Sequence, residues 1–199
     1  MTGRLTRRPG GPARLRALLE SGETTVAPGA FDPLAARLVE EAGFPAVYMT
    51  GFGTSAALLG RPDVGLLTMT EMAGNAGRIA ACVDIPVIAD ADTGYGNALN
   101  VIRTVGSYEA AGVAGIHIED QVAPKKCGHM EGKLVIPAEE MAAKVRAMIT
   151  NSGCARASTA ALTFAAISCA PMTCLPSMCP HFFGATWSSM WIPATPAAS

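Results

Sequence analysis

Charge is spread unevenly along this chain of 199 residues, and that unevenness limits how much of it can form a solvated globule. Of 15 Lys and Arg and 16 Asp and Glu residues, all but one lie within residues 1–150; residues 151–199 hold Arg156 alone. A folded domain seldom runs that far on a single charge, because its outer faces need polar side chains to meet water. The same stretch carries both tryptophans, four of the six cysteines and five of the fourteen prolines. Residues 1–150 are therefore expected to form the ordered region. Residues 151–199 are expected to be an atypical low-charge tail: a divergent buried extension, or out-of-frame or unstructured sequence.

Composition excludes several functions. The formal net charge of −1 leaves no basic excess to neutralise phosphates, so nucleic acid is not an expected partner. No stretch approaches 18 uninterrupted apolar residues, and Pro171, Pro176, Pro180 and Pro193 interrupt the tail, so no membrane span is expected. Met1 to Gly10 carries three arginines with no apolar run behind them, which argues against a secretory signal and for the cytoplasm. Cys154, Cys169, Cys174 and Cys179 form no C-x-x-C pair, so they do not read as a zinc site.

Strand alternates with helix before residue 150. An opening helix is expected around Ala13–Glu20 and a short strand at Thr24–Ala27. Asp32 offers an N-cap and Pro33 the favoured first helical position, with Gly43 as the stop. Pro45–Met49 reads as the second strand. Thr68 and Glu71 have capping-box spacing for a helix running to about Cys82. Ile85–Ala89 is the third strand. Val101, Val105 and Tyr108 mark one face of a helix ended by Gly112, and Val113–Ile118 is the fourth strand. Pro137 opens a last helix with Met141, Val145 and Met148 on one side. The segments 41–48 and 110–117 echo one another, each passing from a helix end through glycine into an apolar strand. Such alternation predicts a parallel sheet, either an open doubly wound sheet or about four units of an eight-unit barrel. Ala160–Ile167 is apolar but lacks strand-like flanks, and reads equally well as helix.

Acidic residues gather where strands end. Asp90 and Asp92 follow the third strand, and residues two apart project to one side of an extended chain. Gly94 and Gly96 let the next loop turn tightly, but the Rossmann spacing is missing and two carboxylates would repel phosphate. Magnesium suits such a group, as a hard cation held by carboxylates, waters and substrate oxygens; helix capping or loop solvation is the simpler alternative. Glu119 ends the fourth strand at the same sheet edge, where parallel α/β folds assemble active sites. His117, in mid-strand, reads as a packed core residue. In Lys125-Lys-Cys-Gly-His129, two lysines and a histidine favour the Cys127 thiolate and make it a usable acid or base; a solvated loop with an incidental cysteine is the alternative.

Taken together, Asp90-Ala-Asp-Thr-Gly-Tyr-Gly-Asn97, His117-Ile-Glu-Asp-Gln121 and Lys125-Lys-Cys-Gly-His129 resemble the isocitrate lyase and phosphoenolpyruvate mutase superfamily. Ala27-Pro-Gly-Ala-Phe-Asp32 and Tyr48-Met-Thr-Gly-Phe-Gly53 match its first two strand ends, and the likeness spans residues 13–148. The resemblance implies an α/β fold of the (β/α)8 TIM-barrel family, here a partial barrel of about four βα units. It implies Mg2+ held by Asp90, Asp92 and Glu119, largely through water, with Asp63 near the metal. Thr50, Gly51 and Phe52 match the segment that grips the substrate carboxylate. Cys127 matches the acid/base cysteine of the lyase branch, with the two lysines, Lys125 and Lys126, and His129 offsetting charge on the departing carboxylate.

The implied reaction is carbon–carbon cleavage of a small 2-hydroxycarboxylate of the methylisocitrate or dimethylmalate type, releasing a 2-oxoacid. Oxaloacetate decarboxylation and a phosphonate-forming mutase reaction are the alternatives within enzymes, and an inactive fragment is the alternative outside them. The family's homo-oligomers use a C-terminal helix that residues 151–199 do not resemble. Its later substrate-binding strands find no match there either, so the chain is expected to be truncated and poorly active.

Overall fold

The computed structural model describes residues 10–128, 130–151 and 163–167. Six helices and five strands follow in the order α1 (Gly11–Glu20), β1 (Gly29–Ala30), α2 (Pro33–Glu41), β2 (Val47–Met49), α3 (Gly51–Leu59), α4 (Met69–Cys82), β3 (Val87–Asp90), α5 (Ala98–Ala111), β4 (Gly115–Glu119), α6 (Ala138–Asn151) and β5 (Thr163–Ile167). All four strand pairings are parallel, and the sheet order is β1-β2-β3-β4-β5. A doubly wound sheet reverses its strand order at a switch point. This sheet never reverses, so of the two architectures open to the sequence it takes the progression of a barrel wall.

Local chemistry explains the helix ends. The Asp32 side chain accepts from the Ala35 N–H and Pro33 opens α2. Thr68 and Glu71 form a reciprocal capping box at α4. Gly112 ends α5 in the left-handed region, at φ 82°. Each cap satisfies backbone groups that a helix end leaves without partners.

All four expected strands begin later than the sequence predicts: β2, β3 and β4 by two residues each, and β1 wholly beyond the expected Thr24–Ala27; two of them, β1 and β3, start just after a proline. Pro28 and Pro86 have no N–H to give a ladder, but their carbonyls accept from Tyr48 N (3.0 Å) and Val47 N (3.1 Å). Pairing starts beyond them, at Gly29 and Val87 rather than at Thr24 and Ile85. The helix α3 is absent from the sequence reading because Gly51 and Gly53 in its first turn make it look like loop. Thr50 caps it through Gly53 N, and Gly60 closes it at φ 62°.

Residues 163–167 form a strand, β5, that pairs with β4 from Gly115↔Thr163 to Glu119↔Ile167. This resolves the helix-or-strand ambiguity and adds a fifth strand to the four units expected. Otherwise the expected tail lies outside the described residues.

The core fills one face of the sheet. Val47, Met49, Val87, Ala89, Ile116 and Ile118 pack with Met72, Ala76 and Ile79 of α4 and Val101, Val105 and Tyr108 of α5. Strand neighbours alternate, so Ile88 faces the other way, into a small cluster with Leu15, Ala114, Leu19 and Tyr48. There α1 lays Leu15 against the sheet. The two faces are thus both apolar, as a parallel sheet requires.

Candidate active site

Three carboxylates at the C-terminal ends of β3 and β4 meet a fourth, from a loop, at one point. Asp90 is the last residue of β3 and Glu119 the last of β4. Asp92 follows β3 by two residues, in the left-handed region at φ 49°. Asp63 comes from the segment between α3 and α4. The cation that joins them is Lys125. Its ammonium lies 3.0 Å from Asp63 Oδ1 and 3.4 Å from Glu119 Oε1, and bonds directly to Asp92 Oδ1. The Lys125 side chain is 6% exposed and that of Asp92 also 6%.

Asp90 is pinned at both oxygens. Its Oδ1 accepts from Asp92 N at 2.9 Å and its Oδ2 from Gly51 N at 3.2 Å. Gly51 is required at this approach, since a Cβ there would fall on Asp90 Oδ2. Tyr108 Oη donates to the Asp90 main-chain carbonyl at 3.0 Å, and its hydroxyl meets that of Tyr95 at 3.3 Å. Lys144 of α6 donates to the Thr93 carbonyl at 3.1 Å, holding the loop that carries Asp92.

Burial and crowding shift the protonation of Asp90, Asp92 and Lys125. Burial first, and then the Asp92 charge, push the Asp90 carboxyl up to about 7 against the pull of Lys125. Burial raises Asp92 as well, with Lys125 pulling it back. For Lys125 itself burial disfavours the ammonium, but the carboxylates of Asp92, Asp90, Glu119 and Asp63 outweigh it and hold the group above the ordinary lysine range. Burial holds the His117 imidazole neutral, down at about 4. Its ring centroid stands 5.2 Å from that of Tyr48, so it is the packed residue expected.

The donor set suits a hard divalent cation, because it is all oxygen and carries more negative charge than one ammonium balances. Among the described residues, no three such side chains are disposed to ligate one ion directly. The donor chemistry nonetheless fits, with Lys125 presently bonded to the same oxygens.

The remaining candidates divide. Thr50, Gly51 and Phe52 open α3 beside Asp90, with Gly51 buried and Phe52 exposed. Cys127 is buried, two residues beyond Lys125. Lys126 does not join the cluster: it is exposed and its Nζ lies on the Glu131 carbonyl at 3.2 Å. His129 lies outside the described residues. Gln121, Tyr108 and Lys144 went unread as contributors, and Lys125 was read only as one of two lysines beside Cys127. Of these only Lys125 had a signal, its place in the Lys-Lys pair, and sequence cannot tell which of two adjacent lysines turns inward. A cavity of about 450 Å3 opens beside the cluster, lined in part by Asp92, Tyr95, Gln121, Lys125, Glu140 and Lys144.

Comparison with known proteins accords with this geometry. The family described as phosphoenolpyruvate phosphomutase matches residues 15–166. The chain is 57% identical over 137 residues to 2,3-dimethylmalate lyase of Eubacterium barkeri, covering 69% of this chain and 47% of that protein. It is 54% identical over 133 residues to the chloroplastic carboxyvinyl-carboxyphosphonate phosphorylmutase of Arabidopsis thaliana, covering 66% of this chain and 39% of that protein. Among solved structures, oxaloacetate acetylhydrolase with 3,3-difluorooxalacetate aligns at TM-score 0.76 and 40% identity, over 83% of this chain and 56% of that one. Phosphonopyruvate hydrolase with oxalate and Mg++ aligns at TM-score 0.70 and 35% identity, over 80% and 52% respectively. The chain thus spans about half the length of the relatives it matches. A family match over most of the chain and five parallel strands in barrel order lead to one assignment: the chain belongs to the phosphoenolpyruvate mutase/isocitrate lyase superfamily.

Proposed function

We propose that this chain carries the metal-binding and proton-donating part of an enzyme that cleaves the carbon–carbon bond of small 2-hydroxycarboxylates. The observation that carries the reading is the convergence of Asp63, Asp92 and Glu119 on Lys125, two residues before a buried cysteine. Asp90, Asp92 and Glu119, with Asp63, are the residues that would hold Mg2+. An ion there supplies positive charge against the substrate's carboxylate and 2-oxygen. The relative named 2,3-dimethylmalate lyase and the neighbour determined with oxalate and Mg++ support the substrate class and the metal.

A carboxylate of the cluster takes the proton of the 2-hydroxyl, the adjacent carbon–carbon bond breaks and the carbonyl of a 2-oxoacid forms. The electron pair leaves on the second fragment as an enolate-like carboxylate. A thiol at Cys127 gives that carbon its proton, and burial in a loop anchored to the cluster keeps water from doing so instead. Thr50, Gly51 and Phe52, at the start of α3 beside Asp90, form the segment that would face a substrate carboxylate. A cytoplasmic setting suits this chemistry, and Cys82 and Cys127 are free thiols. No helix among the described residues is long and apolar enough to cross a membrane.

Residues 151–199 offer one charged side chain, Arg156, to grip a second substrate carboxylate. Orientation supplies much of an enzyme's rate, so the 199-residue chain is proposed to turn over very slowly. The test is single-turnover release of 2-oxoacid, with enzyme in excess, from dimethylmalate, methylisocitrate, oxaloacetate and phosphonopyruvate. Slow release from the hydroxyacids, lost on chelation and in Cys127→Ser, is expected. Release indifferent to both, or confined to oxaloacetate or phosphonopyruvate, overturns the reading.

A further inference from the structure

One side chain from outside the Lys125–Cys127 loop holds that loop in place. Gln121 is 2% exposed. Its Oε1 accepts from Lys126 N at 3.0 Å, and its Nε2 donates to the Lys126 carbonyl at 2.9 Å and to Glu119 Oε2 at 3.0 Å. An amide has two donors and one two-lone-pair acceptor, so both of its ends are committed here. The peptide groups it clamps lie between Lys125, whose ammonium sits among the carboxylates, and Cys127. Gln121 is itself fixed, since its backbone bridges to Val135.

We propose that Gln121 is a positioning residue that couples Glu119 of the carboxylate cluster to the conformation of the Cys127 loop. The side chain has an accepting and a donating end at the correct spacing for both groups of Lys126, which an apolar side chain of equal length lacks. Its second amide hydrogen makes the bond to Glu119 charge-assisted and therefore strong. Loss of the Glu119 charge, or capture of its oxygen by a cation, acts on the loop through this amide at Oε2 as well as through the Lys125 ammonium at Oε1. The inference deepens the proposed function, because it assigns control of the protonating thiol, and it rests on that reading for its catalytic meaning.

The test is peptide-resolved alkylation of the full chain by iodoacetamide in the presence of chelator, comparing Cys127 with Cys82 on α4. Gln121→Met keeps the volume and removes all three bonds, whereas Gln121→Glu keeps an acceptor for Lys126 N. Cys127 is expected to react about tenfold faster in Gln121→Met, with Cys82 unchanged, and at least as fast in Gln121→Glu, whose carboxylate would face Glu119 Oε2 and the Lys126 carbonyl. Glu119→Gln is expected to accelerate Cys127 as well, and Glu119→Gln with Gln121→Met to react by less than the product of the two single factors, because Glu119 also meets Lys125 directly. An unchanged Cys127 rate in Gln121→Met, parallel acceleration of both cysteines, or multiplication of the two effects in the double variant overturns the coupling. Failure of the functional reading shows differently, as absence of 2-oxoacid release while these rates behave as expected.

Discussion

The Tyr108 hydroxyl on α5 donates to the main-chain carbonyl of Asp90 at 3.0 Å, tying a helix on the outer face of the sheet to the acidic end of β3. Tyr108 is otherwise wholly buried among apolar side chains. Tyr108→Phe keeps that packing and leaves the carbonyl without its donor. A loss of about 1–3 kcal/mol is expected, read as a lower urea midpoint with unchanged m-value.

Gly51→Ala and Gly74→Ala should move stability in opposite directions. Both glycines lie in helices, where alanine is intrinsically better by about 1 kcal/mol. Gly74 has open space around its Cβ direction, so its substitution should stabilise. At Gly51 the new methyl would meet Asp90 Oδ2 and come within 3.2 Å of Asp63 Oδ2. Asp90 is held at both oxygens and cannot step aside, so a loss of about 1–3 kcal/mol is expected. Urea midpoints of the two variants check this, and a stabilised Gly51→Ala would refute the close approach.

Lys125→Met removes the one ammonium bonded to the carboxylate cluster and leaves like charges facing each other in a buried place. Breaking such a network costs about 3–5 kcal/mol. The loss should be largest at pH 8 and shrink when millimolar Mg2+ or a lower pH neutralises the acids. Chemical denaturation at pH 8 and pH 5, with and without Mg2+, reads all three effects. Lys126→Met, at an exposed side chain, should stay within about 0.5 kcal/mol of the parent.

Two groups oppose one another in the pH dependence of stability. The folded His117 imidazole titrates near 4, below its ordinary 6.5, so its contribution is complete above pH 6.5 and is lost as pH falls toward 4. The folded Asp90 carboxyl titrates near 7, above its ordinary 3.8. Its contribution is complete below pH 3.8 and is lost as pH rises through 7. Between pH 4 and 6.5 the slopes have opposite signs. His117→Phe should leave a thermal midpoint that falls as pH rises, and Asp90→Asn one that climbs, both measured in chelator.

Much of this fold can be read in the chain because its signals are local. Asp32 with Pro33, Thr68 with Glu71, and Gly112 each fix a helix end through atoms within a few residues, and the structure repeats them. The strand ends at Asp90 and Glu119 follow from apolar runs that stop at acids. What escaped reading depends on distant partners. Gly51 looks like loop until Asp90, 39 residues on, explains why a side chain is excluded there, and Gly53 does so until Phe31 and Thr50 close in on it. Lys125 and Lys126 are chemically the same, and only Asp63 and Asp92 choose between them. The pairing of β5 is set by β4, with little in residues 163–167 themselves to demand extended chain.

The sheet order bears on how the molecule comes into being. Each strand from β2 onward lies beside the strand synthesised just before it, with at least one helix between the two in sequence. A chain emerging from the ribosome can therefore lay down the sheet in the order of translation, every new strand meeting an edge already made. The separations to be closed are only those of a single crossover, which keeps the entropy of each closure modest. The acidic cluster matures in the same sequence: Asp63, then Asp90 and Asp92, then Glu119, with Lys125 arriving last. For much of synthesis the carboxylates stand without their lysine, and a divalent cation in the surrounding solution would be the first counter-charge they meet.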